Sequence, residues 1–241
     1  MIKKLLLLLL CSASFLTVAG QHDPQALKLI DRMTLIIGDL ESFSYTMTNC
    51  RDIRNPDYET RTFCNSHEVF IDGPTRMLAK SSGDNGPREL FYNGELFHYY
   101  NVSENNYVAL DAPPTMMETL DTLHELYDFD FPAADFFYPS LTEDLIGFCD
   151  KISYVGTAVV HGNNCHVIIA SNDKMVIQIW IRNDAASLPQ KMVINYKNDK
   201  QLSRYETIFT DWNLSNKLPV SMFDFVPAPT ARKIAIMAKS K

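Results

Sequence analysis

The chain contains no G-x-S-x-G nucleophile elbow, no H-E-x-x-H pair, no phosphate-binding P-loop and no G-x-G-x-x-G dinucleotide turn. It has no basic run either: 22 Lys and Arg face 29 Asp and Glu, for a net charge of −7. An acidic chain without a cationic cluster argues against nucleic acid and anionic membrane surfaces as partners. Beyond residue 20 no apolar stretch approaches the ~20 residues that a membrane-spanning helix needs. The six histidines are scattered, and none completes a metal or acid–base signature by spacing.

The apolar run from Leu5 to Leu10 follows Lys3 and Lys4 and precedes small residues. Val18 and Gly20 fit a cleavage site before Gln21, so residues 1–20 are expected to be a secretory signal peptide. Removing Lys3 and Lys4 leaves the remainder two charges more acidic. Cys11 is preceded by Leu8, Leu9 and Leu10 rather than by the small residue a lipid-attachment site wants, so a lipid anchor there is the lesser expectation. After cleavage Cys50, Cys64, Cys149 and Cys165 remain, and four cysteines allow three connectivities. Cys50 and Cys64 flank a turn-rich segment centred on Asn55-Pro56-Asp57, which predicts their pairing. That leaves Cys149 for Cys165. A rival metal reading of Cys165 with His161 and His166 lacks a fourth ligand at a familiar spacing, and no metal is expected.

Asp23-Pro24 reads as a helix start, and Leu27, Ile30, Met33, Leu35 and Ile37 continue to Gly38. Strands then dominate. Phe43, Tyr45 and Met47 alternate with Ser and Thr, and Asn93-Gly94 marks a tight hairpin. About ten short strands with hairpin connections predict a mainly β, α+β chain: a curled antiparallel sheet forming a half-open barrel. Met175, Ile177, Ile179 and Ile181 share one face of a strand, with Val176, Gln178, Trp180 and Arg182 on the other. No repeat or linker divides residues 21–241, which are expected to form one domain. An insertion at about 113–146 interrupts the strands: two prolines, then Met116, Met117, Leu120, Leu123 and Tyr127 at helical spacing, then Phe129, Phe131, Phe136 and Phe137.

The best acid–base cluster is His124 with Asp121, Glu125 and Asp128, but such neighbours are ordinary on a solvated helix face. His98 reads as a half-buried strand histidine. Asp128, Asp130 and Asp135 lack calcium-loop spacing. The positive signal is apolar. A helix over the concave side of a curled sheet would enclose a ligand cavity. Its candidate lining is Phe43, Tyr45, Met47, Met77, Met116, Met117, Leu120, Leu123, Tyr127 and Trp180. On the helix, Glu118, Asp121, Thr122 and Glu125 are expected to face water.

The segment from Glu68 to Tyr138 ("EVFIDGPTRMLAKSSGDNGPRELFYNGELFHYY…" through "FPAADFFY") and "FDFVPAPTARKI" resemble an uncharacterised family of predicted periplasmic proteins, related to the LolA/LppX-like lipoprotein-carrier superfamily. The likeness spans most of 23–237. It implies an eleven-stranded half-barrel with a helical lid over a hydrophobic cavity, in a superfamily whose members carry lipoproteins or lipids. The expectation is a periplasmic, non-enzymatic protein that holds a lipid, acyl chain or lipidated peptide, without a cofactor. The alternative is an envelope sensor or protein-interaction module on the same fold. A hydrolase-like enzyme using His124 ranks third. The expected partners are a hydrophobic ligand and, secondarily, an envelope protein.

Overall fold

A computed structural model describes residues 22–55, 57, 59–214 and 217–239. The expected signal peptide and Cys11 lie outside the described residues. Helix α1 (Pro24–Gly38) begins as expected: the Asp23 carboxylate accepts the Gln25 N–H at 2.8 Å, and Pro24 supplies a helical φ at the first position. Ala26, Ile30, Met33 and Ile37 form its buried stripe.

Six strands follow in a meander: β1 (Ser42–Asn55), β2 (Glu59–Asp72), β3 (Arg76–Gly83), β4 (Arg88–Tyr92), β5 (Leu96–Asn101) and β6 (Asn106–Asp111). The insertion forms helix α2 (Met116–Tyr127), a 3₁₀ turn (Ala134–Phe137) and helix α3 (Leu141–Phe148). Strands β7 (Lys151–Val160), β8 (Asn163–Ser171), β9 (Met175–Arg182), β10 (Pro189–Tyr196) and β11 (Leu202–Asn213) complete the main sheet. A second 3₁₀ turn (Val220–Phe223) and the two-residue β12 (Arg232–Lys233) close the chain. Among the described residues, the twelve strands form one sheet in the order β12-β6-β5-β4-β3-β2-β1-β11-β10-β9-β8-β7, antiparallel except for β12 on β6. Strand β12 exceeds the expected ten or eleven because two residues carry no readable alternation.

The sheet does not close on itself: β12 and β7 are its free edges. Bulges at Ser44/Thr46, Asp52/Ile53, Tyr154/Thr157 and Pro189/Lys191 add local twist and curl it. The order also explains the insertion. Strand β6 lies beside one edge and β7 is the other, so the chain between them must cross the open side of the sheet. Helix α1 packs from the β7 end, against α3, β7 and the 3₁₀ turn.

Strands β1 and β2 run further than the turn-rich reading implied, continuing past the cysteines to Asn55 and Glu59. Cys50 lies directly opposite Cys64 in this hairpin, and the two are bonded. Closing a loop of 14 residues stabilises by about 3 kcal/mol in the chain-entropy model. The second expected bridge is corrected: Cys149 and Cys165 are free and buried. Cys149 follows α3 and packs in the core, beside the end of the β7–β8 hairpin that holds Lys151 and Ser171. Cys165 sits six residues up β8 from Ser171, roughly 20 Å away at ~3.3 Å per residue. It also points to the convex face, since alternation puts Ile168 and Ala170 in the core. No bridge spans such a distance. Elimination failed because it assumed that every cysteine has a mate.

Alternation likewise puts His166 and Cys165 on opposite faces, which dissolves the metal reading; among the described residues no cluster of metal-ligating side chains forms. Burial raises both thiol pKa values. Non-reducing peptide mapping is expected to recover Cys50 joined to Cys64. Cys149 and Cys165 should alkylate only after unfolding. A peptide joining Cys149 to Cys165 would overturn the assignment.

The motif "FDFVPAPTARKI" turns out to be a strap. Phe225 packs on the convex face against Phe91, His98, Tyr100 and Tyr107, with ring centroids 5.2, 5.0, 5.5 and 5.1 Å away. The Lys239 N–H donates to the Leu126 carbonyl at 2.8 Å, and its ammonium pairs with Asp128 at the end of α2.

Candidate functional site

The concave face changes character along its strands. On β1 the inward residues run Phe43, Tyr45, Met47, Asn49, Arg51. Opposite them on β2 come Ile71, Val69, His67 and Asn65, then Met77, Ala79 and Ser81 on β3. Strand β11 repeats the gradient with Phe209, Thr207 and Tyr205. One half of the face is therefore apolar and the other polar.

The insertion docks on the apolar half. In its 3₁₀ turn, Phe137 lies 6.3 Å from Phe43 and 5.9 Å from Tyr45, and Phe136 meets Phe209 edge-on at 5.5 Å. Phe129 reaches Phe97 and Tyr99 at 6.1 and 6.3 Å. Thr115 caps α2, and Thr119 is buried with its hydroxyl donating to the Thr115 carbonyl at 2.9 Å.

The space left beneath the insertion on the polar half is about 730 Å³. Small-molecule pockets span roughly 300–1,000 Å³, so it has room for a drug-sized ligand. Its floor holds Asn49, Arg51, Asn65, His67, Ser81 and Arg88. Leu120, Phe129 and Phe131 roof it from the insertion, and Leu90, Met192 and Ile194 add apolar wall. The cavity is thus amphipathic rather than wholly apolar. A second space of about 280 Å³ lies across α2, lined by Phe97, Leu110, Leu123 and Tyr127 among others.

His67 is buried and bridges two polar neighbours, with Nδ1 2.7 Å from the Ser81 hydroxyl and Nε2 2.6 Å from Asn49 Oδ1. A neutral ring satisfies both contacts: Nε2–H donates to Asn49, and Nδ1 accepts from Ser81. Burial lowers its pKa to about 4. The Tyr205 phenol is pushed up to about 12, chiefly by burial. Asp135 is open to solvent within the cavity yet surrounded by protein. That partial burial, followed by the charges of Asp130 and Asp144, raises its pKa. Gly83 is needed beside this floor: its φ is +138°, and a Cβ there would fall 2.4 Å from the Cys64 carbonyl oxygen.

Of the candidate lining residues, Leu120 reaches the larger cavity, and Leu123 and Tyr127 reach the smaller one. Phe43, Tyr45, Met47, Met77 and Met116 are packed into the core, with Met117 partly buried against it. Trp180 lies on the convex face, beneath the Lys191 ammonium at 5.4 Å. Asp121 is exposed, as expected, while also lining the larger cavity, and its carboxylate accepts a hydrogen bond from the Tyr138 hydroxyl; Thr122 lines the smaller. His124 contacts Asp130 at 2.6 Å on the exposed surface, and among the described residues no serine or cysteine hydrogen-bonds to its ring. The polar floor escaped the sequence reading. Carrying the β1 alternation two steps past Met47, to Asn49 and Arg51, was the signal that would have found it.

A curled, open antiparallel sheet with a helical insertion laid across its concave face defines a lidded half-barrel. The chain belongs to the family described as "Predicted periplasmic protein (DUF2092)", which matches residues 26–237. No curated protein matches it. An uncharacterized conserved protein from Thermus thermophilus has a similar structure, with a TM-score of 0.50 at 10% identity, covering 87% of this chain and 98% of its own. The Mycobacterium tuberculosis lipoprotein LppX superposes equally, with a TM-score of 0.50 at 12% identity, covering 82% of this chain and 100% of its own. A LolA superfamily protein from Nitrosomonas europaea aligns more loosely, with a TM-score of 0.36 at 9% identity and coverage of 83% and 97%. At these identities the likeness is one of fold.

Proposed function

We propose that this protein is a non-enzymatic periplasmic carrier, exported by its N-terminal signal peptide, which holds a lipid, acyl chain or lipidated peptide in the cavity beneath its lid. The observation that carries this reading is the amphipathic lining. Leu120, Phe129 and Phe131 offer an apolar roof for a chain, while the floor offers hydrogen-bonding groups for a head. Among the described residues the single histidine–carboxylate pair in the insertion, His124 with Asp130, is solvent-exposed and lacks a nucleophile, which fits carriage better than hydrolysis. The family description agrees with the location.

Native mass spectrometry of protein purified from the periplasm is expected to show a bound species of lipid-like mass, released by organic extraction. The protein should also take up a fluorescent fatty acid in competition with that species. Protein that emerges empty and takes up no amphiphile would overturn the proposal.

A further inference from the structure

The two arginines on the cavity floor have no carboxylate partner among the described residues. Arg61, Arg76, Arg182 and Arg204 each pair with a carboxylate. Arg51 and Arg88 have neither an ion pair nor a side-chain hydrogen bond among the described residues, and the Nε of each is buried without a partner. A buried N–H left unpaired costs free energy, and both side chains line one cavity, where an acceptor from outside the chain could reach their guanidinium groups. Arg51 sits opposite Tyr205 across the β1–β11 pair, and Arg88 is diagonal to Tyr99 on the β4–β5 pair. Both phenols line the same cavity. The Tyr205 oxygen already accepts from the Thr207 hydroxyl at 2.8 Å, which leaves its own proton free to donate.

The acidic lining comes from the other side. Asp121, Asp130 and Asp144 belong to the insertion, and each is engaged by a protein donor: Tyr138, His124 and Ser140. Asp135 is also on the insertion, and burial, followed by the charges of Asp130 and Asp144, raises its pKa. The strand floor itself carries two guanidinium groups and no carboxylate, and apolar surface stands beside it. We infer that Arg51 and Arg88, with the Tyr205 and Tyr99 hydroxyls, form a headgroup subsite that takes the oxyanion of an acidic amphiphile, such as a phosphate, sulfate or carboxylate at the head of an acyl chain. This rests on the carrier reading and adds the class of headgroup to it. Guanidinium is suited to the task because its fixed fork of donors matches two oxygens of one oxyanion.

The test compares three probes by titration calorimetry on the full mature chain. Dodecyl phosphate carries the anion and the chain, tetraethylene glycol monododecyl ether carries the chain alone, and inorganic phosphate carries the anion alone. Dodecyl phosphate is expected to bind about 100-fold more tightly than the ether. Arg51→Gln and Arg88→Gln should each lower that advantage about tenfold or more, and the double variant should abolish it. Ether binding in these variants should match the wild type, which also shows that they are folded. Equal binding of both amphiphiles, or arginine variants that keep the phosphate preference, would overturn the inference and leave the carrier reading standing. Inorganic phosphate binding as tightly as dodecyl phosphate, with no ether binding, would overturn both, because the site would then serve a free anion.

Discussion

Replacing Leu120 with Asp is expected to cost this protein its amphiphile binding while leaving the sheet folded. Leu120 is 6% exposed, sits on α2, and is the helix residue whose apolar side chain roofs the larger cavity. A carboxylate there must either stay charged against Phe129 and Phe131 or take up a proton, and both routes are costly. A loss of about 2–3 kcal/mol corresponds to roughly 30–150-fold weaker binding of an alkyl chain. The fold has other anchors. Phe136 and Phe137 hold the insertion on the sheet, and Cys50–Cys64 braces β1 to β2. The far-UV β signal should therefore persist. Leu120→Met keeps the volume and should bind within a few-fold of wild type, at a cost below about 1.5 kcal/mol. Wild-type binding of an acyl probe by Leu120→Asp would remove the roof from the carrier model. Unfolding of Leu120→Asp would show that α2 is indispensable core.

The second large effect is a loss of stability in mild acid that traces to His67. In the folded chain its pKa is about 4, lowered by burial from the ordinary 6.5. As the pH falls below 6.5 the unfolded chain takes up a proton that the folded chain refuses until about pH 4. The unfolded state then binds more protons, so stability is full above 6.5 and declines as the pH drops through this window. The difference amounts to about 3 kcal/mol, with no further loss from this group below pH 4. Urea unfolding between pH 7.5 and 4.5 should show this slope in the wild type. It should be much reduced in His67→Gln, whatever that variant's stability at neutral pH. Parallel curves for the two proteins would mean that His67 is protonated as easily folded as unfolded.

Much of the scaffold could be read from local pattern alone. The alternation of Phe43, Tyr45 and Met47, the Asn93-Gly94 turn, the Asp23-Pro24 helix start and the helical spacing from Met116 to Tyr127 each reflect a period or a backbone preference carried by neighbouring residues. The pairing of Cys50 with Cys64 was legible for the same reason, because both sit on one hairpin. Cys149 and Cys165 show where local logic ends: whether two distant thiols meet depends on face and register, and here both keep them apart.

Only the tertiary structure decided that β11 pairs with β1, which puts β6 and β7 at opposite ends of the sheet and forces the chain between them across its concave side. That crossing makes a lid of an amphipathic helix. The same pairing brings Tyr205 beside Arg51, and the meander places Arg88 on a neighbouring part of the floor. No sequence spacing links these residues, because a cavity is made by side chains that share a face of a curved sheet, whatever their separation along the chain.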